Sequence, residues 1–148
     1  MEKDLVLTVA ETKIHTADTL FHKKNYVEAA NVISELVGLG IGLTPSGDDF
    51  LCGILAGYHI QGLENSAEAL CLRDAIREKL SRTNEISRAF LVSALEGHFS
   101  QAVNELWNNP DIETITQMFR AIGHSSGMDT LCGIYFILSN RHVFKQFS

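Results

Sequence analysis

The chain has 148 residues, 45% of them hydrophobic and 20% charged, which is enough for one packed domain and too ordinary for a disordered or fibrous protein. A formal net charge of −6 excludes a general nucleic-acid binder, which needs a basic face to neutralise phosphates. The odd set Cys52, Cys71 and Cys132 lacks metal-ligand spacing and reads as reduced, mostly buried thiols.

The first residues, Met-Glu-Lys-Asp, precede a short apolar run over 5–10 and then Glu11, without the basic start and cleavage pattern of a secretory signal. No apolar stretch is long enough to span a bilayer. The expectation is a cytoplasmic protein. Apolar residues recur at three- and four-residue steps over 9–21 and 27–37, which predicts a helical hairpin with Asn25 as N-cap of the second helix. Residues 5–9 alone resemble a strand, and one strand makes no sheet.

After a Gly-rich turn over 38–47, residues 50–60 carry no Lys, Arg, Asp or Glu and predict a helix buried nearly all round. Further helices are expected over 67–80, over 83–96 with Thr83 as cap, over 101–107, and from Asn109-Pro110 to about 122. A last apolar helix covers 128–138. The fold class is therefore all-α: a single compact multi-helix domain over residues 1–148, with two central apolar helices entered through related Gly/Ser/Asp turns.

Those turns are an internal repeat. Ser46-Gly-Asp-Asp-Phe-Leu-Cys-Gly-Ile54 and Ser126-Gly-Met-Asp-Thr-Leu-Cys-Gly-Ile134 agree at seven of nine positions at a constant offset of 80. Three familiar motifs fail on them. Gly42 to Gly47 has Walker A glycine spacing, but Asp48 stands where lysine must attract phosphate. Gly38, Gly40 and Gly42 lack the last glycine and the preceding strand of a dinucleotide fingerprint. Gly123-His-Ser-Ser-Gly127 matches the pattern that would make Ser125 a nucleophile, yet it follows a predicted helix instead of a strand.

What survives is a pair of helix starts. Ser46-x-x-Asp49 and Ser126-x-x-Asp129 have capping-box spacing, and Thr44-Pro45 offers a competing start. A purely structural reading, in which the acids only complement the helix dipoles, accounts for either turn alone. Two such turns leading into apolar helices favour a shared polar pocket. Asp49 and Gly53 share one helix face, as do Asp129 and Gly133; a crossing near the two glycines would bring Asp49 and Asp129 to one mouth.

The catalytic candidates are His124, Asp49 and Asp129, and the ligand-binding candidates are Thr44, Ser46, Asp48, Ser125 and Ser126. Thr83 and Ser87 join them as secondary candidates because they share a helix face beside Arg82 and Arg88. No Lys or Arg occurs between Lys24 and Arg73, so an anion at the first turn would rely on backbone N–H groups and hydroxyls, or on Arg82, Arg88 or Arg120. A small amide or carboxylate ligand fits such a mouth. No cofactor is expected; magnesium on Asp48, Asp49 and Asp129 is the alternative.

In chain order, Gly42-Leu-Thr-Pro-Ser-Gly-Asp-Asp-Phe-Leu51, Thr83-Asn-Glu-Ile-Ser87 with Ala94-x-x-Gly97, and Gly123-His-Ser-Ser-Gly-x-Asp129 resemble a bacterial family that includes AllH, a subunit associated with oxamate carbamoyltransferase in allantoin breakdown. The likeness covers about residues 27–148. It implies a component of an enzyme for small nitrogenous metabolites in purine degradation, with carbamoyl transfer involving oxamate or carbamoyl phosphate and other subunits as partners. The family carries a further N-terminal region before its helical part, which implies that catalysis is not this chain's alone. The alternatives are a noncatalytic metabolite-binding or assembly subunit and a magnesium-dependent hydrolase.

Overall fold

The computed structural model describes residues 3–101, 103–104, 113, 117 and 126–140. Six α-helices are delimited among them and no strand is present: α1 (Lys3–His22), α2 (Tyr26–Ser34), α3 (Ser46–Ile60), α4 (Ala67–Lys79), α5 (Glu85–Leu95) and α6 (Ser126–Asn140), with a 3₁₀ turn over Leu80–Arg82. The all-α class is as the periodicity requires. The helices expected over 101–107 and 110–122 lie mainly outside the described residues. None of the described helices is long and apolar enough to cross a membrane.

The first helix starts earlier than its apolar period. Residues 5–9 are helical, not strand, because no Gly or Pro interrupts the chain before 38 and helix propensity carries the segment although Leu5 and Leu7 stay exposed. Lys24, at φ 62°, ends α1: the Asn25 N–H bonds Leu20 O and the Lys24 N–H bonds Phe21 O, a left-handed stop that satisfies the last carbonyls. Asn25 precedes α2 as expected, but its side chain makes no cap bond. The working caps are Ser66, which accepts from the Ala69 N–H, and Asn84, which accepts from the Ser87 N–H. Thr83, expected to cap α5, is replaced there by its neighbour.

The core gathers around α3. Leu51, Ile54 and Tyr58 of that helix pack with Ile33, Leu36, Leu72, Ile76, Leu91 and Leu95 from the surrounding elements. Burying each Ile or Leu contributes about 1.5–3 kcal/mol, so α3, buried from Gly47 to Tyr58 with few breaks, holds the molecule together. A second cluster joins Ala56 to Leu131, Ile134 and Leu138 of α6. On α6, Cys132 and Ser139 are exposed, so this helix is apolar mainly toward α3.

The two repeat helices run side by side in the same direction. A Cβ on Gly53 would collide with Thr130 O, one on Gly133 with Phe50 O, and each glycine would approach the other's Cα to 3.0 Å. One turn further on, a Cβ on Gly57 would meet Ile137. These contacts exchange under the offset of 80, so α3 and α6 are pseudo-symmetric partners whose backbones touch because neither has a side chain at the crossing.

Candidate active-site mouth at the paired helix starts

The turn before α3 is built on positive-φ glycines at 38, 40 and 42. Gly38 needs both its φ of 80° and its missing Cβ, since a side chain there would run into Arg82 O. Gly47 donates its N–H to Leu39 O at 2.9 Å and lies against Leu36 O so closely that a Cβ would not fit. These contacts fix the first turn of α3 against the turn that follows α2. Pro45 is the N-cap residue and Ser46 the first helical one, which replaces the expected capping box: the Ser46 side chain does not cap and is exposed. The Asp48 and Asp49 N–H groups bond to Pro45 O instead.

Successive helical residues point about 100° apart, and this rotation gives Asp48 and Asp49 different neighbours. Asp48 is 1% exposed and turns toward α5. Its Oδ1 accepts from the Gly38 N–H at 2.7 Å, and its Oδ2 accepts from Thr83 Oγ1 and Ser87 Oγ, each at 2.5 Å. Three donors, two of them buried hydroxyls, occupy this carboxylate. Asp48, Thr83 and Ser87 thus come together as a closed internal network that ties α3 to α5. Arg88, considered above as a cation for a bound anion, donates from Nε to Leu80 O and from Nη2 to Thr83 O, which holds it against the start of α5.

Asp49 turns toward α6. Its Oδ2 accepts from Ser126 Oγ at 2.8 Å, and that hydroxyl lies 3.3 Å from Thr44 Oγ1. Burial pushes the Asp49 carboxyl up from 3.8 to about 7; the Ser126 and Thr44 hydroxyls oppose the rise, and the Asp129 and Asp48 carboxylates add to it. Asp129, one turn before the Gly133 crossing, thus faces Asp49 closely enough to repel its charge. Thr44, Asp49, Ser126 and Asp129 form one polar mouth where the N-termini of α3 and α6 meet. His124 and Ser125 lie outside the described residues.

A carboxyl poised near neutrality can give or take a proton at working pH, and two converging helix starts favour negative charge beside it. For magnesium the donors are fewer than expected, since Asp48 is taken by its own network. Among the described residues no three His, Cys, Asp or Glu side chains stand together as a metal would need. The three cysteines are free; Cys52 and Cys71 are half-buried, and Cys132 is exposed, contrary to the expected burial.

The sequence reading set Thr44, Asp49, Ser126 and Asp129 at one mouth, and the structure brings them together there; that reading also set Asp48 beside them and missed that Thr83 and Ser87 would claim it. The four-residue step from Thr83 to Ser87 placed two hydroxyls on one face, and the charge they serve was the missing half of that signal. No solved structure matches this chain. The model of the family described as "Oxamate carbamoyltransferase subunit AllH" matches residues 36–138, a span that includes both Gly/Ser/Asp turns and the Thr83 to Ser87 stretch. With more than half of its length so matched, the chain belongs to the AllH family.

Proposed function

We propose that the chain is a component of an enzyme for small nitrogenous metabolites, transferring a carbamoyl group in a reaction that involves oxamate or carbamoyl phosphate together with other subunits. The family description supports the substrate class and the multi-subunit setting. The observation that carries a chemical role is Asp49, a buried carboxyl raised to about 7 beside Ser126, Thr44 and Asp129. In this reading the amide nitrogen of oxamate attacks the carbamoyl carbon while the Asp49 carboxylate takes the proton that the nitrogen sheds. The new C–N bond forms, the C–O bond to phosphate breaks, and phosphate leaves with the electron pair. The two helix N-termini and the Thr44 hydroxyl steady the developing oxyanion, and His124 and Ser125 are assigned to the same mouth from sequence alone.

A noncatalytic assembly role is the second reading. It is favoured by Ile41 and Leu43, 71% and 69% exposed in the turn leading to the mouth; isolated large apolar residues are ordinary, whereas two in one turn beside a polar mouth suit a partner chain. A magnesium-dependent hydrolase has the least support, because Asp49 and Asp129 would have to hold the ion without Asp48.

The test is carbamoyl transfer by the reconstituted complex with Asp49→Asn. The expected loss is about 10²- to 10⁴-fold in rate, the range of a lost general base, with subunit assembly intact and no response to chelation. An unimpaired rate removes Asp49 from the chemistry and leaves the assembly role. Hydrolysis of carbamoyl phosphate in place of transfer, abolished by chelation and restored by magnesium, favours the hydrolase.

A further inference from the structure

At the other end of α3, a cavity of about 260 Å³ opens between α3, α4 and the segment that ends α5. Its charged and polar lining includes His59, Glu64, Arg73 and Glu96, so a bound molecule needs a cationic group as well as any anionic one, and its apolar lining includes Leu55, Leu95 and Phe99. His59 and Asp49 are ten residues apart on one helix, about 15 Å along its axis, so this cavity is separate from the polar mouth.

Its charged groups are incompletely paired. Glu64 Oε2 is shielded from solvent and receives no hydrogen bond, while Glu64 Oε1 lies 3.8 Å from His59 Nδ1, beyond hydrogen-bond reach. The Glu64 side chain is 40% exposed, so its carboxylate is open to a donor stronger than the distant His59 ring. Arg73 donates from Nη1 to Glu64 O at 3.4 Å and from Nη2 to Leu95 O at 2.6 Å. That leaves part of its five-donor fork unused, and no ion pair to Arg73 occurs among the described residues. The His59 and Phe99 rings, 5.0 Å between centroids, continue the apolar wall.

We propose that this cavity is a binding site for a free amino acid with a small aliphatic side chain. The ammonium group donates to the exposed side of the Glu64 carboxylate, the carboxylate accepts from the unused N–H groups of Arg73, and the side chain lies against Leu55, Leu95 and Phe99. A simple amine leaves Arg73 without its anion; a simple carboxylate leaves Glu64 without its donor. The volume lies below the roughly 300–1,000 Å³ of sites for drug-sized molecules, which restricts the occupant to a small metabolite.

The experiment is calorimetric titration of the full chain with L-valine, with isobutylamine, which lacks the carboxylate, and with isovalerate, which lacks the ammonium. L-Valine is expected to bind saturably and at least tenfold more tightly than either analogue. Glu64→Gln and Arg73→Gln should each weaken it at least tenfold, and Ser126→Ala, at the distant mouth, should leave it unchanged. Arg73 also ties the end of α5, so if R73Q unfolds, E64Q decides, its side chain being partly exposed. Absence of saturable valine binding, equal binding of isobutylamine, or an E64Q protein that binds valine normally overturns the proposal; none of these bears on the role of Asp49.

Discussion

Ser126, the first residue of α6, donates its hydroxyl to Asp49 of α3 at 2.8 Å. A capping box would have kept each serine and each acid on its own helix. Here the serine of one repeat serves the acid of the other, 77 residues away, and the start of each helix is coupled to its partner's.

The position of the Asp49 carboxyl, about 7 in the folded chain against 3.8 for an unperturbed group, makes stability depend on pH. Between those values the folded chain binds the proton that the unfolded chain has released, so stability falls as pH rises through the window and the penalty is complete above about 7. At about 1.4 kcal/mol per pH unit the ceiling is roughly 4 kcal/mol. Asp49→Asn keeps an oxygen to accept from Ser126 and has no proton to lose. Urea unfolding should give the native protein and D49N similar stability at pH 4, with D49N more stable by about 1–4 kcal/mol at pH 8. A constant difference across that range assigns the pH dependence to other groups.

Asp48 predicts the opposite behaviour on substitution. Hydrogen bonds to a charged group contribute about 1.5–3 kcal/mol each, and Asp48→Ala abandons the Gly38 N–H, Thr83 and Ser87 together inside the protein. The expected loss is at least about 3 kcal/mol by denaturant unfolding. Thr83→Val and Ser87→Ala should each cost about 1–2 kcal/mol. Because both hydroxyls donate to the same Oδ2, the double variant should lose measurably less or more than the sum of the singles; strict additivity would show two independent bonds.

Much of this arrangement was legible in the sequence. The period of the apolar residues gave the helices, and the four-residue step from Asp49 to Gly53 and from Asp129 to Gly133 anticipated where α3 and α6 meet. The division of labour between Asp48 and Asp49 was not legible, because adjacent residues of identical chemistry are separated only by what packs against each side of the helix. Thr83 and Asn84 are both competent caps, and the choice between them was settled by Asp48, a distant acceptor for the Thr83 hydroxyl. The cavity at Glu64 and Arg73 draws on three helices and a turn, which no local pattern brings together.

Cys52 and Cys132 occupy equivalent positions in the repeat, yet their chemistry should differ. Burial pushes the Cys52 thiol up to about 12, with Asp49 and then Asp48 adding to the rise; the Cys132 thiol is raised too, by burial and then by Asp129, but its residue is exposed. Since the thiolate is the reacting species and access limits its attack, iodoacetamide at pH 8 should alkylate the exposed Cys132 before the half-buried Cys52. Peptide mass spectrometry over a time course reads this directly. Equal rates at the two sites would mean that the Cys52 side of α3 opens readily.

The helix crossing gives a graded set of glycine substitutions. A Cβ at Gly53 or at Gly133 would be driven to well under 3.0 Å from a backbone carbonyl of the opposite helix, Thr130 O or Phe50 O, whereas at Gly57 the nearest atoms, the Ile137 Cβ and Ile134 O, stand at 3.2 and 3.3 Å. Backbone cannot rotate aside as a side chain can, so Gly53→Ala and Gly133→Ala should separate the helices and cost about 3 kcal/mol or more, the upper end of overpacking. Gly57→Ala should cost about 1 kcal/mol or less, since the gain in helix propensity offsets part of a shift of α6 by a few tenths of an ångström. The separation should also reach the mouth one turn away: withdrawing Ser126 removes a bond that lowers the Asp49 pKa, and readmitting water removes the burial that raises it. Because burial is the larger cause, the pKa of Asp49 read by NMR titration should fall from about 7 in G53A, provided that the variant stays folded, and stay near it in G57A. A G53A protein with native stability would place the two helices further apart than their glycines require.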